Sequence, residues 1–335
     1  MPAKFIPASV TFISANDGWV LGTAPCAKPP CTSMVRTRDG GRTWHGVPAP
    51  RADLDLNRAR PPADNTVRLV RFADQSNGWA AGRSLYATHD GGSTWHNVAI
   101  GTGTTTINSI GTAAGRAYAA TTGCAAGKCA GGIAVYSAAI GSDTWTKVFT
   151  LDSQVTALAE LAVDDSGWYL PTGKGIYHGS GTGHAVSLPN PCQVEVTAGG
   201  TIRYSPELAV ADAKHLDAMC TGDPGAGSTR YQLFGTSDGG QHWKAAGPGR
   251  QEVDGLNGLA DNQHGVLLVG ISGATGAVLR STDDGASLPT ALTVGSGYGW
   301  TDLGFTTAEQ AVVVQLGKAL YLSRNAGASW SPVKF

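Results

Sequence analysis

Six cysteines are the residues best placed to do chemistry: Cys26 and Cys31 in CAKPPC, Cys124 and Cys129 in CAAGKC, and the separated Cys192 and Cys220. A metal site would need tighter spacing or a neighbouring histidine, and neither pair has one. An even count in Gly/Pro-rich surroundings instead predicts three disulfides and an oxidising compartment. Met1-Pro2-Ala3-Lys4-Phe5 has no long apolar core, so the expected address is secreted or surface-exposed, with a leader already removed or carrying a lipid anchor in the precursor.

Other chemistry finds little support. The sequence has no Gly-x-Ser-x-Gly elbow, phosphate loop, His-Glu-x-x-His or Cys-x-x-Cys. His45 and His96 follow tryptophans of a repeated motif and His242 sits inside one, positions that predict peripheral packing. Glycoside hydrolysis needs two carboxylates across a cleft, and Glu160, Glu195, Glu207, Glu252 and Glu309 fall in no recognisable catalytic setting. Asp53, Asp55, Asn57 and Asp64 are oxygen-rich, but Arg58 replaces the glycine that a calcium loop needs at its sixth position. The expectation is no catalytic residue, no metal and no cofactor.

The elements that carry these residues follow from composition and repetition. The chain has 335 residues, 47 of them glycine, and is past the length at which a single simple core stops growing. A net charge of −1 gives no overall positive field, which argues against a nucleic-acid partner. No apolar run approaches the ~20 residues of a spanning helix.

Thr37-Arg38-Asp39-Gly40-Gly41-Arg42-Thr43-Trp44 recurs as Thr88 to Trp95, with Asp90 and Gly92, and as Thr236 to Trp243, with Asp238 and Gly240. Weaker copies carry Asp283 and Gly285, and Asn325, Gly327 and Trp330; a stretched copy ends at Trp145. An upstream pattern, Val10-Thr11-Phe12 then Asp17-Gly18-Trp19, matches Val70-Arg71-Phe72 then Asn77-Gly78-Trp79. In each copy the acid can accept turn N–H groups, glycine supplies a positive φ, and tryptophan covers the seam to a neighbour. Turn chemistry alone accounts for these residues.

The motif is the Asp-box, and the chain resembles the BNR/Asp-box β-propellers of the sialidase-like superfamily. Its rhythm is most similar to the photosystem II stability/assembly factors, which implies a single non-catalytic propeller. Sialidases would add an arginine triad, a tyrosine nucleophile and Arg-Ile-Pro, but Lys4 precedes Ile6-Pro7 here. Xyloglucanase-like enzymes use two propellers, and this chain supplies one.

Motif ends from Trp44 to Trp330 recur about every 48 residues, which suits a four-stranded blade. The expectation is one all-β domain over 1–335: a seven-bladed propeller, with six or eight blades as alternatives because the fourth repeat has lost its box, and four-stranded antiparallel blades near 8–47, 66–98, 106–148, 156–188, 200–246, 256–292 and 300–335. In blade 1 the expected strands are 9–13, 18–22, 34–38 and 44–47. Residues 329–335 give the last blade its own outer strand, and 2–7 could add a further strand to close the ring.

Strand alternation puts the Asp-boxes on one face and the long insertions on the other: 23–33, 121–131 and 221–230 within blades, 48–65, 189–200 and 247–254 between them. The cysteines fall on that second face, with Cys26 expected to pair with Cys31, Cys124 with Cys129 and Cys192 with Cys220. Candidate contacts there are Arg51, Arg58, Arg60, Arg68, Arg203, Tyr204, Tyr298, Trp300 and Asp302. The expected function is a monomeric binding or assembly module for a protein or carbohydrate. The alternative is a glycoside hydrolase or carbohydrate-binding propeller. The Ala- and Gly-rich, Lys-poor composition suits a GC-rich bacterial genome.

Overall fold

The computed structural model describes residues 1–335 apart from 57–63, 102–104, 125–130, 153–159, 182–183, 193, 198–199, 204, 226–227, 254–255, 274 and 296–298. It is a seven-bladed β-propeller of four-stranded antiparallel blades, with no helix among the described residues. Blade 1 comprises Ile6–Phe12, Gly18–Thr23, Thr32–Thr37 and His45–Val47, so its outer elements match expectation within a few residues. The innermost strands of blades 2 to 7 are Thr66–Phe72, Thr105–Ala113, Ala162–Asp164, Ser205–Val210, Leu256–Asp261 and Trp300–Phe305. Each innermost strand contacts the next, and the seventh returns to the first.

The second strand of each blade is covered on both sides by neighbouring blades, so Gly18–Thr23 and Gly78–Gly82 are apolar runs without alternation. Trp19, Trp79 and Trp168 are wholly buried there. Phe72 lies flat on Trp19 of the preceding blade, ring centroids 3.9 Å apart and 4° from parallel. Trp95 meets the edge of Phe72 and donates its Nε1 proton to Pro48 O at 3.0 Å, across the same seam. Glycine precedes Trp19 because a Cβ at Gly18 would lie 2.5 Å from the Phe12 ring.

The repeated turns share one hydrogen-bond pattern. The backbone N–H of Thr43, Thr94, His242, Ser287 and Ser329 donates to Asp39, Asp90, Asp238, Asp283 and Asn325 at 2.8–2.9 Å. Gly41, Gly92, Gly240, Gly285 and Gly327 all have φ between 77° and 91° and donate to the leading Thr or Ser hydroxyl. The Thr43 hydroxyl and N–H at Asp39, and the His242 N–H and ring at Asp238, hold those carboxyls well below the usual carboxylate range; the Thr94 hydroxyl and N–H lower Asp90 to about 2.

The ring closes without an added strand. Residues 2–5 precede the first strand, and Ser331–Pro332 pairs with Ala319–Ser323, so blade 1 is wholly N-terminal and blade 7 wholly C-terminal. Phe335 packs on Phe5 at 4.9 Å and on Trp44 at 5.4 Å, while Thr301 Oγ1 donates to Ala8 O at 3.1 Å.

Several expected loops are strands. Cys220 lies inside Leu216–Gly225, which pairs with Ser228–Thr236, because the Gly- and Pro-containing segment after it continues a long hairpin. Residues 247–253 belong to Lys244–Val253. The 48–65 connection contributes Asp53–Leu54, a fifth strand parallel to Thr66–Val67 on the channel side of blade 2. The 189–200 connection contributes Val194–Thr197, which forms a hairpin with Gly200–Arg203.

Candidate interaction face and channel

Strand register fixes which residues share a face. Thr32 pairs with Thr23, which pairs with Ile6 at the start of blade 1; Gly123 pairs with Thr105, and Cys220 with Pro206. Cys31, Cys124 and Cys220 therefore sit at the ends where innermost strands begin. The repeated turns follow strands that end opposite, as Thr37 pairs with Gly18 and Gly18 with Phe12. Cys26–Cys31 and Cys192–Cys220 are disulfides, the second joining the connection into blade 5 to its buried second strand. Cys129 lies outside the described residues.

Beside the Cys26–Cys31 loop is an open depression of about 380 Å³, lined by Thr23, Pro29, Cys31, Asp53, Leu54 and Leu56. Leu56 is one of the few exposed large apolar side chains. Thr32 Oγ1 donates to Ala52 O, and Asp55 N to Val67 O at 2.9 Å, which holds the extra strand against the rim. Arg51 is exposed beside it, its carbonyl accepting from Asn65 Nδ2 and the Tyr86 hydroxyl.

Three of the sequence-selected residues are drawn inward. Arg68 is buried and donates from Nη2 to Ile107 O at 3.0 Å and to Asn108 Oδ1 at 3.3 Å. Trp300 is buried between blades 6 and 7, donating to Ile271 O at 2.6 Å. Asp302 faces the channel, where Oδ1 accepts from Arg71 Nη2 at 2.6 Å and Oδ2 from Val10 N at 2.8 Å. Arg203 lies on the Gly200–Arg203 strand; Arg58, Arg60, Tyr204 and Tyr298 lie outside the described residues.

For Arg68 and Asp302 the inward turn has a common cause. Pairing slips by one residue at Arg68, at Asn108 and across Asp302–Leu303, near the start of three innermost strands. A bulge re-aims the extra side chain, and Asp302 adopts φ 51°, a left-handed conformation that Asp tolerates better than most residues. The edges of these strands are satisfied across blades: Val70 N donates to Ser9 Oγ and Leu161 N to Ser109 Oγ.

Arg71, Glu160 and Glu207 complete a charged channel that the motif search did not single out. Burial would raise the Asp302 carboxyl, but Arg71 and the donors of Ser9 and Val10 outweigh it and hold it below its usual value. Glu207 is pushed up to about 7 by burial, then by Glu160, against the hydrogen bond from Gly258 N. The only sequence signal was charge within otherwise apolar strands, such as Arg68 and Arg71 between Val67 and Phe72.

No family model matches the chain, and no curated protein matches it. Solved structures do. YCF48 bound to a D1 peptide is 17% identical with a TM-score of 0.58, covering 97% of this chain and 95% of that one. A puromycin-hydrolyzing peptidase of Mycobacterium tuberculosis is 12% identical with a TM-score of 0.63, covering 99% of this chain and 53% of that one. A putative 6-phosphogluconolactonase of Bacteroides fragilis is 12% identical with a TM-score of 0.54, covering 96% and 94%. At these identities the likeness is one of fold.

Proposed function

We propose that this chain is an Asp-box propeller acting as a non-catalytic binding or assembly module in an oxidising, extracytoplasmic compartment. Its partner is an extended segment of another protein. The observation that carries this reading is the face away from the repeated turns, where, among the described residues, the Cys26–Cys31 disulfide lies beside the extra parallel strand of blade 2 and the Cys192–Cys220 disulfide pins the entry to blade 5. Disulfides persist outside reducing compartments, and cross-linked loops lose less entropy on binding than free ones. The chain already lays Asp53–Leu54 along the innermost strand of blade 2, so this region accepts extended backbone. YCF48, a propeller of similar fold, was solved with a peptide bound.

In this reading Arg51, Leu56 and the depression beside Cys31 supply contacts, with Arg58 and Arg60 of the same connection, Arg203 and Tyr204 before blade 5 and Tyr298 before blade 7 as further candidates. Arg68, Trp300 and Asp302 shape the rim from beneath. Panning the folded protein against a displayed peptide library tests it. Selected peptides should lose at least tenfold in affinity to Leu56→Asp and Arg51→Glu variants whose unfolding midpoints are unchanged. Peptides indifferent to both substitutions and competed by changes on the opposite face would refute the assignment.

A second reading, glycoside hydrolysis, draws on one observation: the channel holds Glu207 pushed up to about 7 near an exposed Glu160. Turnover of chromogenic glycosides, abolished by Glu207→Gln, would establish it over the first.

A further inference from the structure

His89, His96 and Asp143 come from two blades and meet on the face that carries the repeated turns. His89 lies inside the turn of blade 2, His96 opens the outermost strand His96–Val98 of that blade, and Asp143 lies in the stretched turn of blade 3. Their ligand atoms all lie within 4.8 Å of one another, and all three residues are exposed. His96 Nε2 is 2.7 Å from Asp143 Oδ2, and His89 Nε2 is 3.3 Å from Asp143 Oδ1.

A hydrogen-bond chain behind His89 sets its tautomer. Asn77 Nδ2 donates to both oxygens of Asp74 at 3.1 and 2.9 Å, which turns Asn77 Oδ1 toward His89 Nδ1 at 2.7 Å. A carbonyl oxygen can only accept, so Nδ1 carries the proton and donates. With Nδ1 committed to Asn77, Nε2 is the ring nitrogen left to ligate, and it lies 3.3 Å from Asp143 Oδ1, a spacing at which a cation can sit between them. A carboxylate, an amide and an imidazole in sequence is also how ligating histidines are oriented around metals.

We propose that His89 Nε2, His96 Nε2 and an Asp143 carboxylate oxygen bind a divalent transition-metal ion, zinc first, linking blades 2 and 3. Two imidazoles and one carboxylate suit zinc and its neighbours better than calcium or magnesium, which prefer all-oxygen sites. A tetrahedral ion with bonds of about 2.1 Å needs ligand atoms about 3.4 Å apart. His89 Nε2 is 3.3 Å from Asp143 Oδ1 and His96 Nε2 is 2.7 Å from Oδ2, and with all three ligand atoms within 4.8 Å of one another these exposed side chains need only small rotations to close on one ion. Three protein ligands leave a fourth position for water or for a group of another molecule.

The test is titration of tag-free, chelator-stripped full-length protein with Zn²⁺ against a chromogenic chelator, repeated with Co²⁺ for its visible bands. The expected result is one equivalent bound, with tetrahedral Co²⁺ absorption. His96→Ala and Asp143→Asn should each weaken binding at least tenfold, and Asn77→Ala 10- to 100-fold. His45→Ala, the counterpart of His96 after Trp44, should leave it unchanged. Far-UV circular dichroism and metal-free urea midpoints confirm that each variant folds. Absence of saturable binding, or binding that survives both ligand substitutions, overturns the proposal.

Discussion

Replacing Asp302 by alanine should destabilise the propeller by about 4 kcal/mol, and the structure allows that figure to be built from its parts. Removing one partner of a buried ion pair costs about 3–5 kcal/mol. The Arg71 side chain is 31% exposed and recovers part of its hydration, so we take about 2. The Val10 N–H loses its acceptor at a buried position, adding about 1 kcal/mol at the low end of the range for an orphaned donor. Alanine at φ 51° adds about 1 kcal/mol of left-handed strain that aspartate partly escapes. Asp302→Asn keeps an acceptor for Val10 and tolerates the same φ, so it should cost only about 2 kcal/mol, the charge component alone. Urea unfolding at pH 7, read by tryptophan fluorescence, measures both. The sign in acid is also fixed. The folded Asp302 carboxyl lies below its ordinary value, so its stabilisation is complete above the unfolded pKa of about 3.9 and is lost as pH falls through the folded one. Wild type and Asp302→Asn should converge there. An alanine variant within 1 kcal/mol of wild type, or an asparagine variant as unstable as alanine, would refute the bulge-and-bridge account of ring closure.

Cys192→Ser should cost between about 3 and 4 kcal/mol, since Cys192 and Cys220 are 28 residues apart and loop entropy scales with that length; urea midpoints with and without reductant check it. Cys26→Ser, closing a separation of 5, should cost nearer 2 kcal/mol by the same measurement. Glu207 has a folded pKa of about 7, above the 4.5 expected unfolded, so native structure loses stability as pH rises from about 4.5 to about 7. Glu207→Gln should flatten that decline and raise stability at pH 8, visible as a pH series of unfolding midpoints. Trp79→Ala, at a side chain with no exposed surface, should cost about 3–5 kcal/mol by thermal or urea unfolding.

The propeller was legible because its signals are local and repeated. Phe12 with Gly18-Trp19, and Phe72 with Gly78-Trp79, are short-range patterns whose cause is visible in the fold: each phenylalanine ring crosses the following glycine, and Phe72 stacks on Trp19 of the preceding blade while Phe12 meets the edge of Trp44. Face assignment was legible too, since alternating strands fix which turns lie together. Loop interiors were not. Gly222 to Gly225 follow Cys220 with the composition of a turn, yet they extend a hairpin whose partner strand is contiguous. The channel was the hardest part, because a one-residue slip at Arg68 or Asn108 changes where every polar side chain beside it points and leaves no mark in composition. Asp302 was selected for its position on the rim, but its Arg71 partner is 231 residues away. No sequence spacing reveals that pairing, nor the meeting of His96 and Asp143 across 47 residues.

Among the described residues, the seam between the first and last blades is held by side-chain packing, with Phe5 against Phe335, and by side-chain-to-backbone hydrogen bonds such as Thr301 Oγ1 to Ala8 O, with no strand exchanged between the chain ends. The covalent break in the ring thus coincides with a boundary between two complete sheets. A short linker across the termini, with new ends cut in any other connection between blades, should yield circular permutants that keep the same disc. Phe335 packs on both Phe5 and Trp44, so that flank of blade 1 stays bare until the last blade docks. A ring that has not yet closed therefore exposes an apolar flank, the kind of surface through which partly folded chains associate.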